Sequence, residues 1–252
     1  MKQEIEKVCS WIKDYVEKTN HKRVIVGLSG GIDSAVVAAL CVKALGKDKV
    51  IGVTLPCGSN PEDKVDGELV VKSLGIQCSN IDLLESLNLL LSILPRFDIA
   101  TTLVIGNTKA RLRMTALYAL AQQFGCLVAG TCNKSEIAVG YFTKYGDGGS
   151  DFEPIGEFYK GEVWEMAREL GIPEKIINRV PTAGLFEGQT DETEMGVTYK
   201  DLDIILKSML EGEEMPEDMD KEKIKRVAQL SNISEHKRTT PPIYQRDSQN
   251  FE

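Results

Sequence analysis

The sequence GLSGGIDS (residues 27–34) lies between an apolar run, VIV (24–26), and a helix-like segment, AVVAALCVKAL (35–45). A turn between a strand and a helix needs only a few residues, yet this segment holds three glycines, two serines and one aspartate. Glycines let a backbone approach a ligand closely, and the first amides of a helix attract anions. We therefore expect a phosphate-binding turn here, in which the hydroxyls of Ser29 and Ser34 act as further donors.

Asp33 is the unusual member of this turn, because a carboxylate among phosphate-binding groups repels the ligand unless a divalent cation lies between them. Charge alone therefore predicts Mg²⁺ beside Asp33. The alternative is an elaborate strand-to-helix turn in which Asp33 only interacts with the helix dipole. That alternative explains neither the Gly-Gly pair nor the two serines.

The pattern around this turn predicts an α/β fold. Strand-like runs lie at residues 24–28, 50–56, 76–82 and 126–131, and helix-like segments lie between them at 33–46, 61–75 and 107–124. Short strands separated by helices favour a parallel sheet with helices on both faces. In such a sheet, ligands bind beyond the carboxyl ends of the strands.

The rest of the chain adds helices and two long polar stretches. The amphipathic segment 1–18 predicts a first helix, and a glycine-rich stretch (141–160) leads into a helix that ends at Gly171. A second polar stretch (181–199) precedes helices near 198–210 and 221–231. Because we find no repeat and no convincing boundary, we expect one domain over residues 1–252.

Composition limits the classes of function. The chain has 38 acidic and 30 basic residues, so its net charge of −8 argues against a nucleic acid partner. No apolar run approaches the roughly 18 residues that span a membrane, and the N-terminus does not resemble a signal peptide, so we expect a cytoplasmic protein. Six scattered cysteines without a C-x-x-C pair indicate reduced thiols, and two histidines make a zinc centre hard to build.

Within the turn, S-G-G-x-D-S resembles the PP-loop of the ATP pyrophosphatases, which cleave ATP between its α and β phosphates. Neither the Walker motif G-x-x-x-x-G-K-[ST] nor the dinucleotide motif G-x-G-x-x-G occurs in it. The resemblance implies the adenine nucleotide alpha hydrolase-like form of the α/β fold.

Five further segments narrow the resemblance: GNTKARLRM (106–114), AGTCNKSE (129–136), GYFTKYGDGGSD (140–151), PTAGLFEGQTDETEMG (181–196) and EHKR (235–238). Together with the turn they are similar to the ammonia-dependent NAD⁺ synthetase family over positions 27–238. This resemblance implies a homodimeric ligase that amidates deamido-NAD⁺ with ammonia through an acyl-adenylate and releases NAD⁺, AMP and pyrophosphate. No protein nucleophile is expected.

The resemblance also assigns roles to residues. Asp33 and Glu136 would be ligands of Mg²⁺. ATP would contact Gly27, Leu28, Ser29, Gly30, Gly31, Ile32, Asp33, Ser34, Thr131, Lys160 and Thr182. Deamido-NAD⁺ would contact Arg111, Lys144, Asp151, His236 and Lys237.

Several of these residues also have plainer interpretations. Glu136 fits the first turn of a helix as part of a T-x-x-x-x-E cap that begins at Thr131, and Lys160 taken alone is typical of a surface lysine. Arg111 lies between Lys109 and Arg113, which would suit either an anion near a helix start or a solvated basic face. The sequence 133–135 departs from the more hydrophobic or histidine-containing version that we expect in the family.

Two alternatives for the function remain open from the sequence. One is another PP-loop enzyme, such as a tRNA thiolase or a GMP synthetase module, and the other is a nucleotide-binding module without catalysis. The apolar residues of 83–124 suit a helical dimer face and a buried core equally well. The length of 252 residues leaves no room for a glutamine amidohydrolase domain, so we expect ammonia as the nitrogen donor.

Overall fold

A parallel sheet forms the centre of the computed structural model, which describes residues 1–95, 102–184 and 188–244. Its strands in the described part are β1 (Arg23–Gly27), β2 (Val50–Thr54), β3 (Gln77–Asn80) and β4 (Cys126–Ala129), in the order β3-β2-β1-β4. In the register, Val24 lies opposite Val50 on one side and Leu127 on the other. The predicted parallel sheet is confirmed, but the predicted strands run one or two residues too far, because those residues leave the sheet to form loops.

The helices follow the strands in the predicted alternation. They are α1 (Lys2–Lys18), α2 (Ile32–Leu45), α3 (Pro61–Leu74), α4 (Leu84–Ile93), α5 (Thr102–Phe124), α6 (Lys134–Val139), α7 (Lys160–Glu169), α8 (Glu174–Ile177), α9 (Asp191–Met195), α10 (Tyr199–Glu211), α11 (Lys221–Ile233) and α12 (Glu235–Arg238). None of these helices is both long and apolar enough to cross a lipid bilayer.

Both faces of the sheet are covered because successive strand residues point to opposite sides. Val24 and Val26 pack into a core with α1, α2 and α7. Ile25 and Val128 pack into a second core with α4 and α5. The prediction of a sheet with helices on both faces is confirmed. Because the strands are parallel, their carboxyl ends all lie at one edge of the sheet.

Local signals set the limits of several helices. Asn60 caps α3 by accepting a hydrogen bond from the Glu62 amide at 3.0 Å, and Gly75 ends the helix in the left-handed conformation (φ +64°). Thr198 and Gly212 bound α10 in the same way. The predicted helices 61–75 and 198–210 are therefore nearly correct.

The helix predicted at 107–124 was too short. Helix α5 begins at Thr102, so Lys109 lies about two turns inside it rather than near its start. The β-branched residues and Gly106 at its beginning are poor helix formers, which is why the sequence pattern did not predict this part of the helix. The helix-dipole argument for a nearby anion therefore does not apply.

A third core joins the C-terminal helices to the rest. Tyr199, Leu202 and Ile205 of α10 pack with Val227 of α11 and with Val139 of α6. The short helices α8, α9 and α12 were not predicted, because four or five residues carry too little periodicity. The single domain over residues 1–252 stays a prediction.

Candidate active site

A cavity of about 660 Å³ opens at the carboxyl ends of β1, β2 and β4. This volume is in the range of sites for nucleotides and other small molecules. Its wall includes Thr54 and Leu55 after β2, and Gly130 to Cys132 after β4. Twelve of the residues predicted for the site line it: Gly27, Leu28, Ser29, Gly31, Ile32, Asp33, Ser34, Thr131, Glu136, Lys160, Thr182 and Lys237.

The two serine hydroxyls hold the turn in shape. The Gly31 amide donates to Ser29 Oγ (3.1 Å), the Ser29 amide donates to Ser34 Oγ (3.3 Å), and Ser34 Oγ donates to the Gly31 carbonyl (3.0 Å). Gly31 caps α2 without any side-chain bond, so the first amides of α2 have no acceptor within the helix. This arrangement suits an anion at the start of α2, and the sequence analysis missed the internal bonds of the serines.

Gly30 faces away from the cavity and against α3. It adopts φ +80°, and a Cβ atom on it would lie 2.7 Å from the Asp63 carbonyl oxygen and 2.8 Å from Arg179 Nη1. Both the positive φ and the close approach require glycine at this position. Gly30 is thus the residue at which the turn packs directly against α3.

An ammonium group lies between the two predicted metal ligands. Lys160 Nζ is 2.6 Å from Asp33 Oδ2 and 3.4 Å from Glu136 Oε1, and the Lys160 side chain is only 1% exposed. Burial by itself lowers the pKa of Lys160, but the two carboxylates outweigh it and raise this pKa above its ordinary value. Burial raises the pKa of Glu136 above its ordinary value, opposed by the charge of Lys160. The interpretation of Lys160 as a surface lysine is wrong.

Glu136 does lie in the first turn of a helix, but the residue that caps this helix is Asn133 rather than Thr131. The Asn133 side chain accepts a bond from the Glu136 amide (3.0 Å), and Glu136 Oε2 accepts one from the Asn133 amide (3.3 Å), which forms a capping box at the start of α6. Asn133 Nδ2 also donates to Asp33 Oδ1 at 3.0 Å. One cap therefore fixes both carboxylates, and the spacing N-x-x-E in the sequence could have revealed Asn133.

Tyr199 and Asp191 complete the surroundings of Lys160. The buried Tyr199 hydroxyl donates to Asp191 Oδ2 (2.9 Å) and lies 3.1 Å from Glu136 Oε1, while Lys160 Nζ lies 4.8 Å from the centre of its ring. Burial raises the pKa of both Tyr199 and Asp191. The sequence carries no local signal for these two residues, because α9 and α10 reach the site only through the fold.

The donor atoms of this cluster fit Mg²⁺ bound together with a nucleotide. Asp33 and Glu136 contact the same nitrogen atom, so both carboxylates can reach one cation. Mg²⁺ is commonly held by one or two carboxylates, with phosphate oxygens and water as its other ligands. Across the described ranges, no group of three or more His, Cys, Asp or Glu residues could form a complete site.

Most residues predicted for the dinucleotide contact one another beside the cavity. Arg111 Nε donates to the Lys144 carbonyl (3.3 Å), and Lys144 Nζ donates to the His236 carbonyl. Lys237 Nζ, in the cavity wall, donates to the carbonyls of Gly140 and Phe142, both at 2.7 Å. Helix α12 thereby holds the glycine-rich stretch that follows α6.

Asp151 lies apart from that group, on the outer edge of β4. Its Oδ2 accepts a bond from the Val128 amide (2.7 Å), and its Oδ1 accepts one from the Tyr118 hydroxyl (3.2 Å). It lines a second hollow of about 430 Å³ with His21 and Tyr118. The structure therefore separates Asp151 from Arg111, Lys144, His236 and Lys237.

The basic residues beside Arg111 do not form a solvated face. Lys109 is 8% exposed. Arg113 donates to the Leu55 carbonyl (3.0 Å) and to Ser59 Oγ (2.9 Å), which joins α5 to the end of β2 in the cavity wall. Arg111, which the resemblance singled out, is the exposed member of the three.

Comparisons with known proteins agree with this site. A family model described as NAD synthase matches residues 4–241. The NH(3)-dependent NAD(+) synthetase of Methanococcoides burtonii is 45% identical, and the match covers 94% of this chain and 92% of that protein. NMN synthetase from Francisella tularensis superposes with a TM-score of 0.87 at 35% identity and covers 96% and 98% of the two chains. NH3-dependent NAD synthetase from Campylobacter jejuni gives a TM-score of 0.83 at 30% identity over 97% and 98%. The motifs, the cavity and these matches together establish that the chain belongs to the NAD synthase family.

Proposed function

We propose that this chain amidates the nicotinate carboxylate of deamido-NAD⁺ with ammonia and ATP, and releases NAD⁺, AMP and pyrophosphate. Its family and its NH(3)-dependent NAD(+) synthetase relatives support a ligase that forms a carbon–nitrogen bond. The observation that carries the proposal is the cluster of Lys160, Asp33 and Glu136 beside the start of α2, within one cavity. Family membership also separates the chain from the other PP-loop enzymes considered above.

The chemistry explains why ATP is needed. A carboxylate resists ammonia because its carbon is weakly electrophilic and its oxygen is a poor leaving group. In the first step a carboxylate oxygen attacks the α-phosphorus of ATP, and the bond to the β-phosphate breaks with release of pyrophosphate. In the second step ammonia attacks the carbonyl carbon, the bond to AMP breaks, and the nitrogen loses a proton. Neither step requires a nucleophile from the protein.

The side chains of the chain then position the reactants and compensate charge. The first amides of α2 face the phosphates, and the Lys160 ammonium balances the negative charge that grows on the leaving pyrophosphate. Asp33 and Glu136 would hold Mg²⁺, which supplies Lewis-acid compensation of phosphate charge when it is bound. Thr131 and Thr182 line the same cavity and would contact the nucleotide.

The dinucleotide would bind along the group formed by Arg111, Lys144, His236 and Lys237. Two cations of this group, Arg111 and Lys144, suit the phosphates of a dinucleotide. Asp151 would contact a different part of the substrate, because it lies at the outer edge of β4.

A second substrate of the same chemistry is nicotinic acid mononucleotide. The solved NMN synthetase from Francisella tularensis aligns with this chain at a TM-score of 0.87, and amidation of the mononucleotide would yield its product by the same two steps. The two substrates differ only by the AMP half of the dinucleotide, so the comparison of their specificity constants separates them.

Formation of AMP from ATP tests the proposal. We expect AMP, and pyrophosphate beyond one equivalent per active site, only when a nicotinate substrate and ammonium are both present, with a higher kcat/KM for deamido-NAD⁺ than for the mononucleotide. Glutamine should not replace ammonium for this chain. ATP binding without any AMP would instead support a non-catalytic nucleotide-binding module, and equal turnover with glutamine would contradict the use of free ammonia.

We further infer a cytoplasmic homodimer. The six cysteines are free thiols, which suits a reducing compartment. Leu89, Ile93 and Leu103 of α4 and α5 are each about two-thirds exposed or more, which is typical of a surface that another subunit covers. Sedimentation at micromolar concentration should give a mass of twice 27.8 kDa, and a monomer would contradict the inference.

A further inference from the structure

Arg179 joins three parts of the site, although the sequence analysis did not single it out. Its Nη1 donates to Asp66 Oδ2 (2.9 Å) and to the Gly30 carbonyl (3.4 Å), and its Nη2 donates to Asp63 Oδ1. The guanidinium therefore contacts α3 and the back of the phosphate-binding turn at the same time. Arg179 also lines the cavity.

The carboxylates that hold Arg179 are themselves fixed. The Asp66 side chain is 4% exposed, and its Oδ1 lies 2.6 Å from Lys175 Nζ of α8. The side chains of Asp63 and Arg179 are 18% and 20% exposed. Charge-assisted bonds that are shielded from water have defined geometry, so this pairing fixes the direction of the guanidinium. Asp63 and Asp66 balance the charges of Lys175 and Arg179. These four side chains therefore carry no net positive charge that would attract ATP.

Arg179 lies three residues before Thr182, in a segment without helix or strand between residues 178 and 184. Between Arg179 and Thr182, the Pro181 carbonyl accepts a bond from the Asp191 amide (3.2 Å) at the start of α9, and the Gly184 amide donates to Thr182 Oγ1 (3.1 Å). The place of Thr182 relative to Gly30 is thus set by two contacts that precede it in the chain, one from Arg179 to the turn and one from Pro181 to α9.

We propose that Arg179 is a positioning residue that fixes the separation of the phosphate-binding turn and Thr182, so that both contact one ATP molecule. The inference rests on the proposed function in that ATP must be the ligand of the turn. Lysine could not replace Arg179 fully, because a single ammonium cannot hold Asp63, Asp66 and the Gly30 carbonyl together.

The test compares Arg179→Gln and Arg179→Lys with the wild type, and uses Lys223→Gln as the matched control. Lys223 pairs with Asp201 between α11 and α10 at 2.6 Å, outside the cavity. For Arg179→Gln we expect the KM for ATP and the Kd of Mg·ATP to rise about tenfold or more, as for the loss of bonds to a charged group. The KM values for ammonium and for deamido-NAD⁺ should stay within about twofold, Arg179→Lys should be intermediate, and Lys223→Gln should match the wild type.

A double variant separates positioning from simple stabilisation. If Arg179 acts through Thr182, the Arg179→Gln change should have little further effect on the KM for ATP in a Thr182→Val background. Should Arg179→Gln fail to fold, Asp63→Asn carries the same expectation. An unchanged Kd for Mg·ATP in folded variants, or an equal rise of all three KM values, overturns the inference. Absence of AMP formation by the wild type would instead sink the proposed function, while the Kd of Mg·ATP still tests Arg179.

Discussion

Lys160 Nζ lies 2.6 Å from Asp33 Oδ2, although 127 residues separate the two in the chain. The contact brings the start of α7 to the start of α2, and it holds a cation where the sequence predicted a metal between two carboxylates. Glu136 on the other side makes the same nitrogen the centre of the cluster. We therefore expect the balance of charge among Lys160, Asp33 and Glu136 to affect both stability and catalysis.

Replacement of Lys160 by methionine tests this balance. Removing the ammonium leaves Asp33 and Glu136 facing each other without compensation, so we expect the free energy of unfolding to fall by about 3–5 kcal/mol. We also expect kcat/KM for AMP formation to fall about 100-fold or more. Thermal unfolding and a pyrophosphate assay measure the two effects. Lys43→Met is the control, because Lys43 pairs with Glu6 at the surface and should cost under about 1 kcal/mol. An active and stable Lys160→Met variant would refute the prediction.

The dependence of ATP binding on Mg²⁺ tests Asp33. In the wild type, calorimetry should show tighter ATP binding when Mg²⁺ is present. Asp33→Asn keeps an oxygen that can accept the hydrogen bond from Asn133 but loses the negative charge. Most of the increase in ATP affinity that Mg²⁺ causes should therefore disappear, and pyrophosphate production should be lost with it. Asp48→Asn, an exposed position on the turn Lys47–Lys49, should behave as the wild type. The same gain from Mg²⁺ in both variants would remove Asp33 from the metal site.

Substitution of Gly30 in the phosphate-binding turn has a matched control in Gly46, at the end of α2. Both have positive φ, +80° and +88°, but a Cβ at Gly46 meets nothing within 4 Å, whereas one at Gly30 meets Asp63 and Arg179. We expect Gly46→Ala, at φ +88° and ψ 147°, to cost about 1–3 kcal/mol of unfolding free energy through backbone strain alone, with an unchanged KM for ATP. Gly30→Ala should cost more and raise the KM for ATP, since α3 must move. Equal effects of the two substitutions would show that the close approach has no role.

Glu153 makes stability depend on pH. Burial raises its pKa to about 7, although Ser150 Oγ and the Cys132 amide donate to its carboxylate at 2.7 and 3.2 Å. Because the folded state holds this proton more tightly than the unfolded state, its stabilising effect is present below about pH 4.5 and is lost as pH rises to about 7. The free energy of unfolding of Glu153→Gln relative to the wild type should therefore increase by up to about 3 kcal/mol from pH 5 to pH 8. Urea unfolding at the two pH values checks the sign, and a constant difference would disprove it.

Lys237 should control the order of the glycine-rich stretch. Lys237→Met removes the donor shared by the Gly140 and Phe142 carbonyls, so amides of residues 140–149 should exchange hydrogen faster. The KM for deamido-NAD⁺ should rise with little change in the KM for ATP. Lys207→Met, on α10, is the control. Unaltered exchange in 140–149 would mean that Lys237 does not hold this stretch.

Features encoded within a few residues were predictable from the sequence. The turn at 27–34 and the four strands follow from local composition, and the capping box of Asn133 and Glu136 was present in the sequence but overlooked. The register inside α5 was not predictable, because the helix begins in a segment of poor helix formers. As a result Arg113, rather than Arg111, faces the cavity.

Contacts between distant segments account for what could not be predicted. Tyr199 reaches Glu136 across 63 residues, and Arg179 reaches Gly30 across 149. No periodicity or motif in the sequence predicts such pairs, because they depend on how α3, α8 and α10 pack around the sheet. Twelve of the residues that the resemblance named line the cavity, and their roles stay predictions, whereas the group around Arg111 and the separate position of Asp151 emerged only from the fold.

Asp151 has a consequence for how this molecule can associate. Its carboxylate accepts a bond from the outward-facing Val128 amide, and its own amide donates to the Val128 carbonyl. Next to it, the Phe152 carbonyl accepts a bond from the Gly130 amide. The outer edge of β4 is therefore already paired at residues 128 and 130, so an extended peptide or a strand of a second copy cannot lengthen the sheet at these residues without displacing Asp151 and Phe152. At this part of the edge, the chain blocks strand addition with its own glycine-rich stretch.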